Sequence, residues 1–211
     1  MKNFMGILLF LVFPATTLPA QVDSIAHYPG FEFREGIYLN FDQFRANRPI
    51  PSEKIVSNYP RESSSFLDKV VQNPKIQYYD FRDSLVTVKT SSIWGYSKNS
   101  AVYISHGRDF NRIMVMGSIC HYSAYIYSPN PIYDPYNLGS NNPNYQTFQF
   151  VLDTKTGTSL AFNVTNMEKL LARDPQLYQE FMALKKKKKR NSIFVYLRKY
   201  NERNPLFFPN F

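Results

Sequence analysis

A chain of 211 residues has room for one domain, or one domain with an appendage, and excludes a two-lobed enzyme. Hydrophobic residues at 44% and charged residues at 19% are ordinary globular usage, which excludes a disordered chain and a multi-span membrane protein; 17% aromatic residues with only 8 Gly favour aromatic-rich strands. The net charge of +9 is local, because Lys185 to Arg190 supply six charges and Lys2 another, leaving +2 for the rest.

The chain opens with one cation at Lys2, an apolar run from Phe4 to Phe13, and a Pro-bearing polar stretch ending at Ala20. This is the pattern of a secretory signal peptide, expected to be cleaved near Ala20 and to leave residues 21–211 as a single extracytoplasmic α+β domain in the periplasm or outside the cell. The apolar run of about ten residues is too short to cross roughly 30 Å of hydrocarbon, and no later stretch approaches that length, so an integral membrane protein is not expected. The sole Cys, Cys120, lies far from the cleavage point, which excludes both a lipidated N-terminal Cys and an internal disulfide. An extracytoplasmic address removes nucleic acid as partner and leaves anionic envelope surfaces.

Gly36 to Asn47 reads as a strand end, an Asn40 N-cap and a short helix carrying Phe41 and Phe44, stopped by Pro49 and Pro51. Lys54 to Pro74 reads as a loop with at most one strand. Strand patterns follow at Ile76 to Phe81, Leu85 to Lys89, Ile93 to Tyr96, Ala101 to His106, Arg112 to Ile126 and Thr147 to Leu152, with a further strand through Leu160 to Phe162. Ser97 to Ser100, Gly107 to Asp109 and Asp153 to Gly157 supply turns. Residues 128–146, with four prolines and a Gly139-Ser-Asn-Asn stretch, form a long inserted loop carrying Tyr133, Tyr136 and Tyr145. Residues 165–203 read as C-terminal helices: Thr165-Asn-Met-Glu168 is a capping box, Asp174-Pro175 starts a second helix with Leu177, Tyr178, Phe181 and Leu184 on one stripe, and Ile193, Leu197 and Tyr200 give a third the same spacing. The fold expected is α+β: an antiparallel meander of about six or seven strands with the C-terminal helices packed on one face.

Cys120-His121 suggests a Cys/His hydrolase, but adjacent residues of a strand point to opposite faces and cannot form a dyad with each other. A hairpin turn over Gly107 to Phe110 would set His106 opposite Asn111 and His121 about 33 Å away, which argues against a zinc site; Asp153-Thr-Lys-Thr-Gly places Lys155 where a calcium ligand belongs. No Gly-x-Ser-x-Gly elbow and no phosphate-binding Gly-rich loop occur. Catalytic residues, metal ligands and cofactors are therefore not assigned. Lys185, Lys186, Lys187, Lys188, Lys189 and Arg190 go fully round a helix, so no face of this run is expected to be buried. The run reads as a solvated helix end, its cations suiting the C-terminus of the Asp174 helix, with docking to an anionic surface as its functional alternative.

The segments Gly36-Ile-Tyr-Leu-Asn-Phe-Asp-Gln-Phe, Ile93-Trp-Gly-Tyr, Gly117-Ser-Ile-Cys and the closing Tyr-Leu-Arg-Lys-Tyr-Asn resemble, in that order, uncharacterised secreted proteins of Bacteroidota-type bacteria. The resemblance implies an envelope setting and brings no assigned activity; Asp23-Ser-Ile and Asp83-Ser-Leu are similar to the O-glycosylation acceptor pattern of such bacteria. The expected function is a non-catalytic secreted or periplasmic protein that binds an envelope glycan or a protein partner through Trp94, Tyr133, Tyr136 and Tyr145, with the basic run as an auxiliary dock. Its rivals are a small extracytoplasmic hydrolase using Cys120 or a His and, prompted by the Tyr-rich strands and terminal Phe211, an outer-membrane β-barrel.

Overall fold

The structure is a computed structural model that describes residues 23–127 and 145–210. Its elements in chain order are β1 (Ser24–Ala26), β2 (Gly36–Tyr38), α1 (Phe41–Arg45), β3 (Ile50–Pro51), β4 (Ile55–Val56), α2 (Phe66–Val70), β5 (Lys75–Tyr79), β6 (Leu85–Lys89), β7 (Gly95–Lys98), β8 (Ala101–His106), β9 (Asp109–Val115), β10 (Ile119–Tyr127), β11 (Tyr145–Asp153), β12 (Thr158–Ala161), α3 (Val164–Leu171), α4 (Pro175–Met182), α5 (Lys186–Arg203) and β13 (Phe207–Pro209). The fold is α+β with antiparallel pairing throughout. Eight strands form one sheet in the order β12-β11-β10-β9-β8-β7-β2-β3, of which β7 to β12 are a six-strand meander. The expected meander strands at Ile76 and Leu85 lie outside it: β5 pairs with β4 on one side and β6 on the other in a separate three-stranded sheet. No helix among the described residues is long and apolar enough to cross a membrane.

Two hairpins show why the meander forms. Lys98 pairs with Ala101 across Asn99 and Ser100, both at positive φ (46° and 57°), the geometry of the two-residue turn whose twist matches its flanking strands. Gly107 and Arg108 make a similarly short turn, so His106 pairs with Asp109 rather than with Asn111. Arg112 to Ile126 is not one strand. The chain reverses at Met116, Gly117 and Ser118, and His121 pairs back onto Val115. The 33 Å separation inferred between His106 and His121 therefore rested on a strand that does not exist, although the two rings do face different clusters.

Strand alternation sends β10 into two cores. Cys120, Tyr122 and Ala124 join Phe31, Phe33, Phe44, Leu152 and Phe208 on one face of the sheet, an aromatic core roofed by α1 and by the β1–β13 ribbon. On the other face Ile119 and Val151 pack with Met167, Leu171, Leu177, Phe181, Leu197 and Tyr200, which is where the C-terminal helices dock. A third cluster joins Ile37 and Tyr96 to Ile55, Phe66, Leu67 and Ile76, fastening the small sheet and α2 to the large one.

Candidate functional site

The basic run acquires its geometry from the elements before it. Asn163 caps α3, its side-chain oxygen accepting from the Asn166 N–H at 2.9 Å, so the cap lies two residues before the expected Thr165 and Glu168 is free for another use. Asp174 caps α4 by accepting from the Leu177 N–H at 3.1 Å with Pro175 at the first helical position, as its sequence signature predicts. That helix closes at Ala183, and Leu184 and Lys185 turn the chain into α5. The cations therefore stand at the start of α5, not at the end of α4. A helix N-terminus carries the positive end of the macrodipole and repels them. What holds the helix there is downstream burial of Tyr196, Leu197 and Tyr200.

Lys189 corrects the expectation that no face of the run is buried. It is 9% exposed, its Nζ donates to Glu168 Oε1 at 2.7 Å, and the same nitrogen lies 3.2 Å from the Met182 sulfur and 5.5 Å from the centre of the Phe181 ring. Lys186, Lys189, Arg190 and Ile193 recur at helical spacing and line one side of a cleft of about 640 Å³ between the N-terminal turns of α3 and α5. Phe162, Val164, Leu184 and Ile193 give it an apolar floor; Asn163 and Thr165 border it with two polar side chains. Its acid, Glu168, is engaged by Lys189, whereas Lys186 and Arg190 are exposed and have no ion-pair partner among the described residues. Lys187 and Lys188 point elsewhere and do not line it. Behind the floor, Phe162 and Phe194 meet edge to face at 4.6 Å, and both rings touch His121. Burial lowers the His121 pKa below its usual value.

The cleft thus offers an apolar surface beside two uncompensated cations, an arrangement suited to an anionic ligand with an apolar face. A model of a family of unknown function (DUF6563) matches residues 137–204, about a third of the chain. No curated protein and no solved structure matches. The matched span of DUF6563 contains β11, β12, α3, α4 and α5, and with them the residues that line the cleft.

The aromatic residues singled out in the sequence lie elsewhere. Trp94 is half-buried, stacked on Phe44 at 4.5 Å with Phe41 and Tyr38 at its edges. Tyr145 begins β11 beside Tyr127, where Tyr125, Tyr127 and the Gly107 turn border a shallow depression of about 340 Å³. Trp94 and Tyr145 share no ring contact among the described residues, and Tyr133 and Tyr136 lie outside those residues. The Cys120 thiol is fully buried against Gly117 and Met116, and burial pushes its pKa up to about 12; His121 faces the other side of the strand. His106 Nδ1 lies 2.7 Å from the Tyr122 hydroxyl, and His27 is surrounded by Phe31, Phe33 and Phe208. Among the described residues no group of three or more His, Cys, Asp or Glu is placed to hold a metal. Ser24 and Ser84, the two acceptor-pattern serines, are exposed.

The cleft was partly legible. Residues 186, 189, 190 and 193 share a helical stripe in the sequence, but a stripe mixing cations with an isoleucine does not register as an apolar face, and Phe162 and Val164 come from a separate element.

Proposed function

We propose that this protein is a non-catalytic secreted or periplasmic binding protein of the cell envelope, and that the α3–α5 cleft takes an acidic glycan. The observation that carries the reading is the pairing of an apolar floor with Lys186 and Arg190, two cations without acidic partners among the described residues. A uronic-acid type of sugar has the matching features: a ring face of C–H groups to lie on Phe162 and Ile193, and a carboxylate for the cations. The leader-like first twenty residues support the extracytoplasmic address, and the burial of Cys120 gives no support to a thiol hydrolase.

Calorimetric titration with polygalacturonate, with dextran as the neutral control, tests the proposal. The wild type binds the polyanion, weakens as salt rises, and ignores dextran. Substituting Lys186→Gln with Arg190→Gln weakens binding by roughly tenfold or more, since each exposed pair is worth up to about 1 kcal/mol. Lys187→Gln with Lys188→Gln removes equal charge outside the cleft and leaves binding nearly unchanged. Equal losses in both double variants would reduce the interaction to bulk charge attraction and sink the cleft assignment.

A further inference from the structure

A second pocket, sharing no lining residue with the cleft, lies where the end of α1, the β11–β12 turn and the end of α5 converge. Its volume of about 380 Å³ is at the small end of ligand pockets, which run from roughly 300 to 1,000 Å³. Arg45, Lys155 and Arg173 line it, with Ser118, Thr154 and Tyr200, and no carboxylate is among its lining residues. Arg173 is already committed, its two terminal nitrogens donating to both oxygens of Asp153 at 2.7 Å. Arg45 is not. Its guanidinium lies 5.6 Å from the Phe208 ring, and its Nη1 is buried without a hydrogen-bond partner. A buried guanidinium nitrogen is almost always paired, so an arginine that lines an acid-free cavity with one nitrogen unpaired has donor capacity to spare.

We infer that Arg45, with Lys155 and Ser118, binds a small oxyanion of the phosphate, sulfate or carboxylate type in this pocket. The guanidinium fork supplies two directed donors, Lys155 a mobile charge at the mouth, and the Ser118 hydroxyl a third donor. The Phe208 ring, 5.6 Å from the guanidinium carbon, helps to hold that group in place. The inference does not rest on the glycan reading.

Thermal melts of the full chain test it, with inorganic phosphate, sulfate or acetate replacing chloride at constant ionic strength. Wild type is expected to gain a saturable rise in Tm with at least one of the three anions, and the anion giving the largest rise identifies the preferred group. Arg45→Met keeps a long stem over Phe208 while removing the orphaned donor, and should fold as well as wild type but lose the rise. Lys155→Gln, at an exposed position, should shift the half-saturation point several-fold upward, and it serves if the Met variant does not fold. Lys186→Gln, in the other cleft, should respond like wild type. No rise in wild type with any of the three anions, or an unchanged rise in both Arg45→Met and Lys155→Gln, overturns the inference.

Discussion

Lys189 shows how one side chain decides what a charge run can do. Six consecutive cations look equivalent in sequence, yet at 100° per residue one of them must face whatever packs against the helix, and a lysine can bury its methylenes while its ammonium reaches a carboxylate. Glu168 supplies that carboxylate because Asn163, not Thr165, caps α3. Lys189→Ala should therefore cost about 2 kcal/mol in urea denaturation, less than a fully buried pair because Glu168 keeps some solvent contact, whereas Lys187→Ala should stay within about 0.5 kcal/mol. Asp153 is another buried charge. Burial pushes its carboxyl upward, but the Arg173 fork, the Thr156 hydroxyl and the Lys155 N–H together outweigh this and hold its pKa below the usual carboxylate range. The unfolded chain then takes the proton first, so this contribution is full above about pH 4 and is lost as pH falls through the folded value. His27, His106 and His121 are lowered by burial, and here too protonation favours the unfolded chain, starting at about pH 6.5. Stability should thus decline in two stages on acidification, one below about pH 6.5 and one below about pH 4; Arg173→Met should remove the Asp153 part of the second, while Asp174, whose carboxyl is also held low by the Leu177 N–H and by Arg203, keeps its own part. Urea midpoints taken across that range check both; a flat profile between about pH 7 and pH 5 would contradict the histidine assignment.

At the level of elements, the four segments singled out together in the sequence meet in two pairs. Ile37 and Tyr38 pair with Tyr96 and Gly95, and Gly95 is pressed so closely on the Tyr103 carbonyl that a Cβ would lie 2.2 Å from its oxygen. Gly117 meets the closing helix in the same way, since a Cβ there would lie 2.4 Å from the Asn201 side chain. Asn201 in turn accepts from the Ile119 N–H at 2.8 Å and donates to the Ile119 carbonyl at 2.9 Å, behaving as a one-residue strand partner that fixes α5 to the start of β10. Asn201→Ala leaves both backbone groups unpaired and should cost about 2 kcal/mol, with Asn201→Asp recovering only the acceptor half. Trp94, stacked on Phe44 and half-buried, should cost about 3 kcal/mol on truncation to Ala, at the low end for a large aromatic, while Phe44→Ala should cost more. Most strands were legible because alternation and two-residue turns are local signals. The reversal at Gly117 was not, because Arg112 to Ile126 keeps a strand-like composition throughout and the turn is set by Asn201, far along the chain. The capping box misled for a related reason: Asn163 and Thr165 are both good caps, and the choice falls to the helix packing that draws Glu168 toward Lys189.

For the molecule as a whole, the large sheet carries a core on each face, and the two candidate pockets lie at different ends of α5: the cleft at its first turn, the Arg45 pocket at its last. Of the cleft only the helical stripe was legible, and of the Arg45 pocket nothing, since each collects residues from elements distant in sequence, and sequence patterns reveal faces rather than junctions. The β1–β13 ribbon is the most distant junction of all. Ser24 to Ala26 pair with Phe207 to Pro209, the His27 N–H donates to the Leu206 carbonyl at 2.7 Å, and Phe208 is fully buried among Phe31, Phe33 and Phe44. Removing residues 205–211 should therefore leave a chain without a cooperative melt, and Phe208→Ala alone should cost about 4 kcal/mol by thermal or urea unfolding. The ribbon also sets a clock. A chain made from its N-terminus holds β1 unpaired until β13 emerges, and that long-range closure carries its loop entropy in a single late step. The aromatic core on that face is completed last, so a partly made chain stays open to proteases and to chaperones, and its folding is timed by the arrival of Phe208.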